Sequence, residues 1–387
     1  MLSSSLACLR RSTTNHVAPS ATPVNNPLSR LPDFPWDSIA SHAQQAAAHS
    51  DGIVDLSVGT PVDPVPDLIQ EALRAASNSP GYPTTHGTDG LRAAAVAWMS
   101  RSTGAVALDP NDVLPVVGTK EFVAWLPTML GLGASDRIVI PELAYPTYDV
   151  GARMISAEPV IAADPTQVSG DVSLVWINSP ANPTGQVLDV QTLREIVAWA
   201  RDRGALVVSD ECYIELGWDK QPVSVLDERV CGGSTEGILA LHSLSKRSNL
   251  AGYRFGFVAG DASVVSMLLA LRKHAGMMVA SPVQAAATVA LNDDEHVRVQ
   301  KDRYRARRDT LRPALEAAGF SIEHSNAGLY LWATRGQDAL ESLGWLAERG
   351  ILAAPGTFYG SAGAQHVRVA LTATDVRVAA AVARLTA

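Results

Sequence analysis

Short apolar runs alternate with amphipathic stretches between residues 110 and 245 of the 387-residue chain. Each run has four or five residues, which suits a buried strand, whereas several intervening stretches have the apolar spacing of helices. The predicted strands are Val113–Val117, Arg137–Ile140, Leu174–Ile177, Ala205–Ser209 and Gly237–Leu241, and the predicted helices include Glu121–Leu130 and Val190–Arg203. Continuous apolar strands separated by helices predict an α/β fold with a mainly parallel central sheet, covered on both faces.

The pattern changes after Asp293, where the charged stretch Asp294–Ala318 predicts one long helix. Shorter strand-like runs follow at Leu329–Trp332 and His366–Leu371, and the chain ends in a further helical pattern. These elements predict a second, smaller α+β domain.

The two patterns divide the chain into four segments. Residues 62–290 form the predicted large domain, and residues 31–61 together with residues 291–387 form the small one. Residues 1–32 contain no Asp or Glu and three Arg among many Ser, Thr, Asn and Pro, so we expect residues 1–30 to be a disordered leader. A transit peptide and an upstream start codon chosen in error are the alternatives for this segment.

Four arginines crowd the long charged helix, at Arg303, Arg305, Arg307 and Arg308. Such a cluster is compatible with an acidic partner. Acidic residues are interleaved with it, however, so we interpret the cluster as one solvated face of the helix.

Composition limits the classes of function. The net charge of −8 argues against nucleic acid or an anionic membrane surface as the main partner. No stretch reaches the roughly 18 apolar residues that span a bilayer. The three cysteines, Cys8, Cys212 and Cys231, build neither a disulfide framework nor a metal pattern, which favours a reducing cytoplasm.

The first chemical motif is Gly118-Thr119, where an apolar strand ends and a helix begins. The free N–H groups and the dipole at a helix start bind phosphate well, although the same turn also occurs without a ligand. Lys120 follows, and it could assist the phosphate, face a substrate or simply be exposed.

The second and third motifs follow the next two predicted strands. Two prolines rigidify the loop from Asn178 to Gly185 and hold Asn182 at the carboxyl end of a strand, where α/β enzymes place ligands. Asp210 ends the other strand and Tyr213 follows it. A carboxylate buried there requires a cationic partner, such as the protonated nitrogen of a pyridine ring.

The fourth motif is Ser243-Leu244-Ser245-Lys246, followed by Gly252, Arg254 and Gly256. A lysine directly after an apolar strand suits a covalent imine with a carbonyl-bearing cofactor. Ser243 and Arg254 would supply phosphate donors, and Arg254 could bind in a bidentate manner. Lys273 is a weaker candidate, because its surroundings are helical.

In this order the motifs resemble the class I/II aminotransferase family of fold type I, from about Gly59 to Arg368. The resemblance implies pyridoxal 5'-phosphate as the cofactor, bound covalently to Lys246. It implies that Asp210 pairs with the ring nitrogen, that Asn182 and Tyr213 contact the ring hydroxyl, and that Tyr145 stacks on the ring. Gly118, Thr119, Ser243 and Arg254 would hold the phosphate.

The resemblance also implies a substrate site and a dimer. Gly59 and Arg368 lie in segments that bind the substrate carboxylate in relatives, together with Asn182. Tyr82 lies in a segment that donates a tyrosine to the phosphate of the neighbouring subunit, which requires a homodimer with shared active sites.

Three strings, at residues 141–153, 273–278 and 365–372, are similar to actinobacterial succinyldiaminopimelate aminotransferases of lysine and cell-wall biosynthesis. They imply N-succinyl-L,L-2,6-diaminopimelate as amino donor and 2-oxoglutarate as acceptor. The alternatives are another amino-acid aminotransferase of the family, or a carbon–sulfur β-lyase that uses the same lysine. A non-catalytic ligand sensor is disfavoured, because residues 1–32 are too short for a helix-turn-helix.

Overall fold

The computed structural model describes residues 27–32 and 35–387. Of the predicted leader, only a short 3-10 helix, Pro27–Arg30, falls within them, and the rest lies outside the described residues. The described strands are β1 (Val54–Asp55), β2 (Val113–Val116), β3 (Arg137–Pro141), β4 (Glu158–Ala162), β5 (Leu174–Asn178), β6 (Leu206–Asp210), β7 (Ile238–Ser243), β8 (Gly256–Gly260), β9 (Ser321–Glu323), β10 (Tyr330–Thr334), β11 (Ile351–Leu352), β12 (Ala354–Pro355) and β13 (His366–Ala370).

Helices account for much of the remaining described chain. They are α1 (Ala40–Ala47), α2 (Asp67–Ala75), α3 (Asp89–Thr103), α4 (Thr119–Met129), α5 (Thr147–Met154), α6 (Val190–Arg201), α7 (Glu228–Cys231), α8 (Leu244–Arg247), α9 (Ala262–Ala275), α10 (Ser281–Asn292), α11 (Glu295–Ala317), α12 (Ala339–Glu348) and α13 (Asp375–Thr386). No helix of this described part is both long and apolar enough to cross a membrane.

A seven-stranded sheet has the order β2-β8-β7-β6-β5-β3-β4, and only β8 runs antiparallel to its neighbours. Strands β5, β6 and β7 are buried along their whole length, since apolar side chains leave the sheet on both faces to meet helices. Val175 and Val207 point into one core, for example, and Trp176 and Val208 point into the other. The predicted α/β fold with a mainly parallel sheet is therefore confirmed.

A second, antiparallel sheet has the order β12-β13-β10-β9. Its core contains Leu331 and Val369 together with Val54 and Leu56, so residues from near both ends of the described chain share it. The boundaries predicted at residues 61/62 and 290/291 stay predictions.

The interpretation of the arginine cluster as one solvated face is wrong for two of its four members. Arg307 is buried on α11 and pairs with Asp63 at 2.6 Å and with Asp375 at 2.7 Å. Arg308 is also buried and pairs with Asp219. An arginine on a helix can be buried where it forms ion pairs with carboxylates from distant parts of the chain. The neighbouring sequence does not reveal such partners.

Candidate active site

The carboxyl ends of three neighbouring parallel strands bring the predicted motifs to one edge of the large sheet. Asn178 ends β5 directly opposite Asp210, which ends β6, and Ser243 ends the adjacent β7. The amide of Asn178 donates to the backbone oxygen of Asp210 at 2.9 Å, and its oxygen accepts from the N–H of Asn182 at 2.7 Å. This edge is where α/β proteins bind their ligands.

Asp210 is buried and carries an unneutralised carboxylate. Its oxygens accept from the N–H of Cys212 at 3.2 Å and from the hydroxyl of Tyr148 at 2.8 Å. Burial raises the pKa of Asp210, and these two hydrogen bonds partly oppose that rise. Among the described residues it forms no ion pair, so this buried carboxylate would be stabilised by a cationic ligand atom, as a pyridinium nitrogen would supply.

Tyr148 is a site residue that the sequence analysis missed. It lies on α5, fully buried, with its ring stacked on Trp176 at 4.9 Å between centroids. The predicted stacking residue Tyr145 precedes α5, and its ring centre lies 5.8 Å from that of Tyr148. Burial raises the pKa of Tyr145 to about 12.

Glu211 lies next to Asp210 in sequence but has different surroundings. It accepts from the backbone N–H of Val225 at 2.7 Å and lies 3.7 Å from His242. Burial raises the pKa of Glu211 to about 7 and lowers the pKa of His242 to about 3. The two carboxylates of this motif therefore separate, and Asp210 alone is the ligand candidate.

Gly118 and Arg254 form the base of a candidate phosphate site. Gly118 has φ of 78° and precedes α4, whose first turn no side chain caps. A Cβ at Gly118 would lie 2.8 Å from Cζ of Arg254, so glycine leaves the space that the guanidinium fills. The hydroxyl of Thr119 accepts from the thiol of Cys212 at 3.6 Å, which joins this turn to the Asp210 segment.

Two further phosphate candidates differ in burial. Ser243 is buried, and its hydroxyl accepts from the N–H of Ser245 at 3.1 Å. Lys120 is exposed and has no ion pair among the described residues. A part for Lys120 in phosphate binding stays a prediction.

Lys246 lies on the short helix α8 and donates from Nζ to the carbonyl oxygen of Gly59. The predicted cofactor lysine and the predicted substrate loop are thus in contact. The alternative candidate, Lys273, is exposed near the end of α9 and so lies within a helix rather than directly after a strand.

Arg368 joins three segments at the buried centre of the site. Its Nη1 donates to Oδ1 of Asn182 at 2.8 Å, and its Nη2 donates to the carbonyl oxygen of Ser57 at 2.7 Å. Its Cζ lies 3.9 Å from the ring centre of Tyr330 and 4.9 Å from that of Tyr359. Both tyrosines escaped the sequence analysis, because no motif marked them.

Tyr213 and Tyr330 place their hydroxyl oxygens 3.1 Å apart. Both rings are buried, and they meet edge to face at 5.8 Å. Tyr82, in contrast, is 97% exposed. Its predicted contact with a second subunit stays a prediction.

A cavity of about 500 Å³ lies beyond the loop from Asn178 to Gln186, lined among others by Trp176, Thr192 and Ile196. Neither Lys246 nor Asp210 lines it. The candidate site is instead the group of side chains at the strand ends, defined by the contacts described above.

Comparison with known proteins supports one family. The sequence profile of class I and II aminotransferases matches residues 51–385. A probable aminotransferase of Mycobacterium tuberculosis is 63% identical over 92% of this chain and 85% of that protein. A 4-dedimethylamino-4-oxo-anhydrotetracycline transaminase of Streptomyces rimosus is 58% identical over 93% of this chain and 100% of that protein.

A similar solved structure is that of a probable N-succinyldiaminopimelate aminotransferase from Thermus thermophilus. It has a TM-score of 0.83 and 29% sequence identity, and the match covers 91% of this chain and 99% of that one.

Proposed function

The chain belongs to the class I and II aminotransferase family, which depends on pyridoxal 5'-phosphate, and from this premise we propose that it transfers an amino group between N-succinyl-L,L-2,6-diaminopimelate and 2-oxoglutarate. One observation supports the reaction type. Asp210 is buried without an ion-pair partner at the end of β6, and Lys246 follows the end of the adjacent strand β7. The substrate rests on the three sequence strings and on the Thermus thermophilus neighbour.

Five residues would hold the cofactor ring. Lys246 would bind it covalently, and Asp210 would pair with its nitrogen. Tyr213 and the amide of Asn182 would donate to the ring oxygen, since the Asn182 oxygen is already used by Arg368. Tyr145 would stack on the ring.

The phosphate would bind at the start of α4. Backbone N–H groups of Gly118 and Thr119 would meet it, with Ser243 and the guanidinium of Arg254. Tyr82 of a second subunit would complete the site, so we propose a homodimer. The free thiols of Cys212 and Cys231 support a cytoplasmic location.

When bound, the cofactor supplies a protonated ring that absorbs the negative charge of the substrate α-carbon. Lys246 Nζ would move the proton at that carbon as general base and acid. Arg368 would fix the α-carboxylate with its planar fork, assisted by the backbone at Gly59. Burial of Asp210 and Arg368 keeps water away from both groups, which strengthens their electrostatic interactions.

A second candidate substrate class is a polycyclic ketone, which the 58% identity to the Streptomyces rimosus transaminase favours.

The decisive experiment follows the absorbance of the purified holoenzyme during single additions of amino donors. Conversion to the amine form of the cofactor by N-succinyl-L,L-2,6-diaminopimelate, but not by aspartate or aromatic amino acids, supports the proposal, as does glutamate formation from 2-oxoglutarate. Absence of that conversion overturns the substrate assignment. Pyruvate release from cystathionine without an oxo-acid acceptor would instead indicate a β-lyase.

A further inference from the structure

Tyr330 lies at the point where the substrate loop, the cofactor lysine and Arg368 converge. It is buried at the start of β10. A Cβ at Gly59 would overlap its hydroxyl and would lie 2.8 Å from its Cζ, so the bare backbone of Gly59 closes over this tyrosine. The guanidinium of Arg368 covers its ring at 3.9 Å. A phenylalanine would provide the same packing, which makes the hydroxyl the feature to explain.

The charges around Tyr330 give its hydrogen bond to Tyr213 a direction. Burial raises the pKa of Tyr330, whereas the positive charges of Arg368 and Lys246 and the hydrogen bond with Tyr213 together lower it. Burial raises the pKa of Tyr213 well above its usual range, and Tyr330 and Cys212 add to this rise. The guanidinium of Arg368 lies 3.9 Å from the ring centre of Tyr330, and a positive charge beside a phenol makes its hydroxyl a stronger donor.

We propose that Tyr330 is a positioning residue: its hydroxyl donates to the oxygen of Tyr213, and this directs the Tyr213 proton toward the ring oxygen of the cofactor. Tyr213 has a single proton, so it serves the cofactor only if it accepts from Tyr330 rather than donating to it. Each bond in such a chain polarises the next. The inference rests on the part proposed for Tyr213 in cofactor binding.

A pH titration of the holoenzyme, followed by absorbance and without substrate, tests these two successive hydrogen bonds. Tyr330→Phe removes one donor, so the ring oxygen becomes more basic and the midpoint of the titration rises, by about 0.5 to 1 unit. Tyr213→Phe raises it further, and the double variant equals Tyr213→Phe alone, because Tyr330 acts only through Tyr213.

Tyr304→Phe is the matched control, since Tyr304 is also buried and its hydroxyl lies 3.4 Å from Asn249, outside the site. It leaves the midpoint unchanged. Tyr330→Leu is a second variant, which gives the same upward shift if the hydroxyl matters.

An unchanged midpoint in Tyr330→Phe, while Tyr213→Phe shifts it, overturns the proposal, and so do additive shifts in the double variant. A titration in which Tyr213→Phe also has no effect would overturn the part proposed for Tyr213 as well. Because no amino donor is present, failure of the substrate assignment leaves these readings unaffected.

Discussion

The hydroxyl of Tyr148 donates a 2.8 Å hydrogen bond to Oδ2 of Asp210. The donor lies on α5 and the acceptor at the end of β6, 62 positions apart in the chain. This bond stabilises the anionic form of a carboxylate that burial otherwise disfavours. A cationic ring nitrogen would therefore meet an Asp210 that this bond orients and whose charged form it favours.

Tyr148→Phe is expected to raise the pKa of Asp210 further. As the pH is lowered, Asp210 then loses its charge at a higher pH. The pH below which the affinity for the cofactor falls (the acidic limb of the pH profile) therefore moves upward. At neutral pH we expect about fivefold weaker cofactor binding, which corresponds to one hydrogen bond of about 1 kcal/mol. A cofactor titration of the apoenzyme across pH measures both effects, and an acidic limb that stays in place contradicts the prediction.

Lys246→Ala is expected to abolish the absorbance band of the covalently bound cofactor. It should also lower the rate of transamination by roughly 10³-fold or more, because general acid–base catalysis at the α-carbon is lost. Lys273→Ala is the control, since Lys273 is exposed on α9. Survival of the band in Lys246→Ala would mean that the anchor lies elsewhere.

Gly118→Ala is expected to weaken cofactor binding by displacing Arg254, whose Cζ would lie 2.8 Å from the new methyl group. Gly131→Ala provides a matched control, because Gly131 has a similar φ of 72° and nothing within 4 Å of the added Cβ. Both variants carry a backbone penalty of about 1 kcal/mol in unfolding free energy. Only Gly118→Ala should raise the dissociation constant of the cofactor, and equal effects on that constant would refute the account.

Arg368→Lys is expected to raise KM for the amino donor by about tenfold or more, since lysine cannot form the planar fork to a carboxylate. The absorbance of the bound cofactor should change little. Steady-state kinetics with Arg298→Lys, a swap on the exposed face of α11, gives the reference. A KM that matches this reference would exclude Arg368 from carboxylate binding.

Tyr82→Ala is expected to weaken cofactor binding while leaving the unfolding temperature nearly unchanged, because Tyr82 is 97% exposed. In a mixture of Tyr82→Ala and Lys246→Ala chains, hybrid dimers would contain one site with both residues intact. Activity should then return after subunit exchange. If a mixture that contains hybrid dimers regains no activity, the two subunits do not share their active sites.

Five of the seven strands of the large sheet could be predicted because they are uninterrupted apolar runs, and these five begin and end within two residues of their predicted bounds. Strands β4 and β8 were not predicted. Asn182, Asp210, Lys246 and Arg254 could be named because each stands in a short motif at a strand end or the turn that follows.

Tyr148 and Tyr330 could not be identified in this way. Tyr330 meets Tyr213 across 117 positions, and nothing in its neighbouring residues signals that contact. The burial of Arg307 was missed for the same reason, because its partners Asp63 and Asp375 come from opposite parts of the sequence.

Because Gly59 lies so close to Tyr330, substitutions at these two distant positions depend on each other during evolution. A lineage that retains tyrosine at 330 cannot accept any side chain at 59, and a lineage that gains one at 59 must first shrink the residue at 330. Change at position 59 is therefore blocked until position 330 has become smaller, so the order of the two substitutions is fixed.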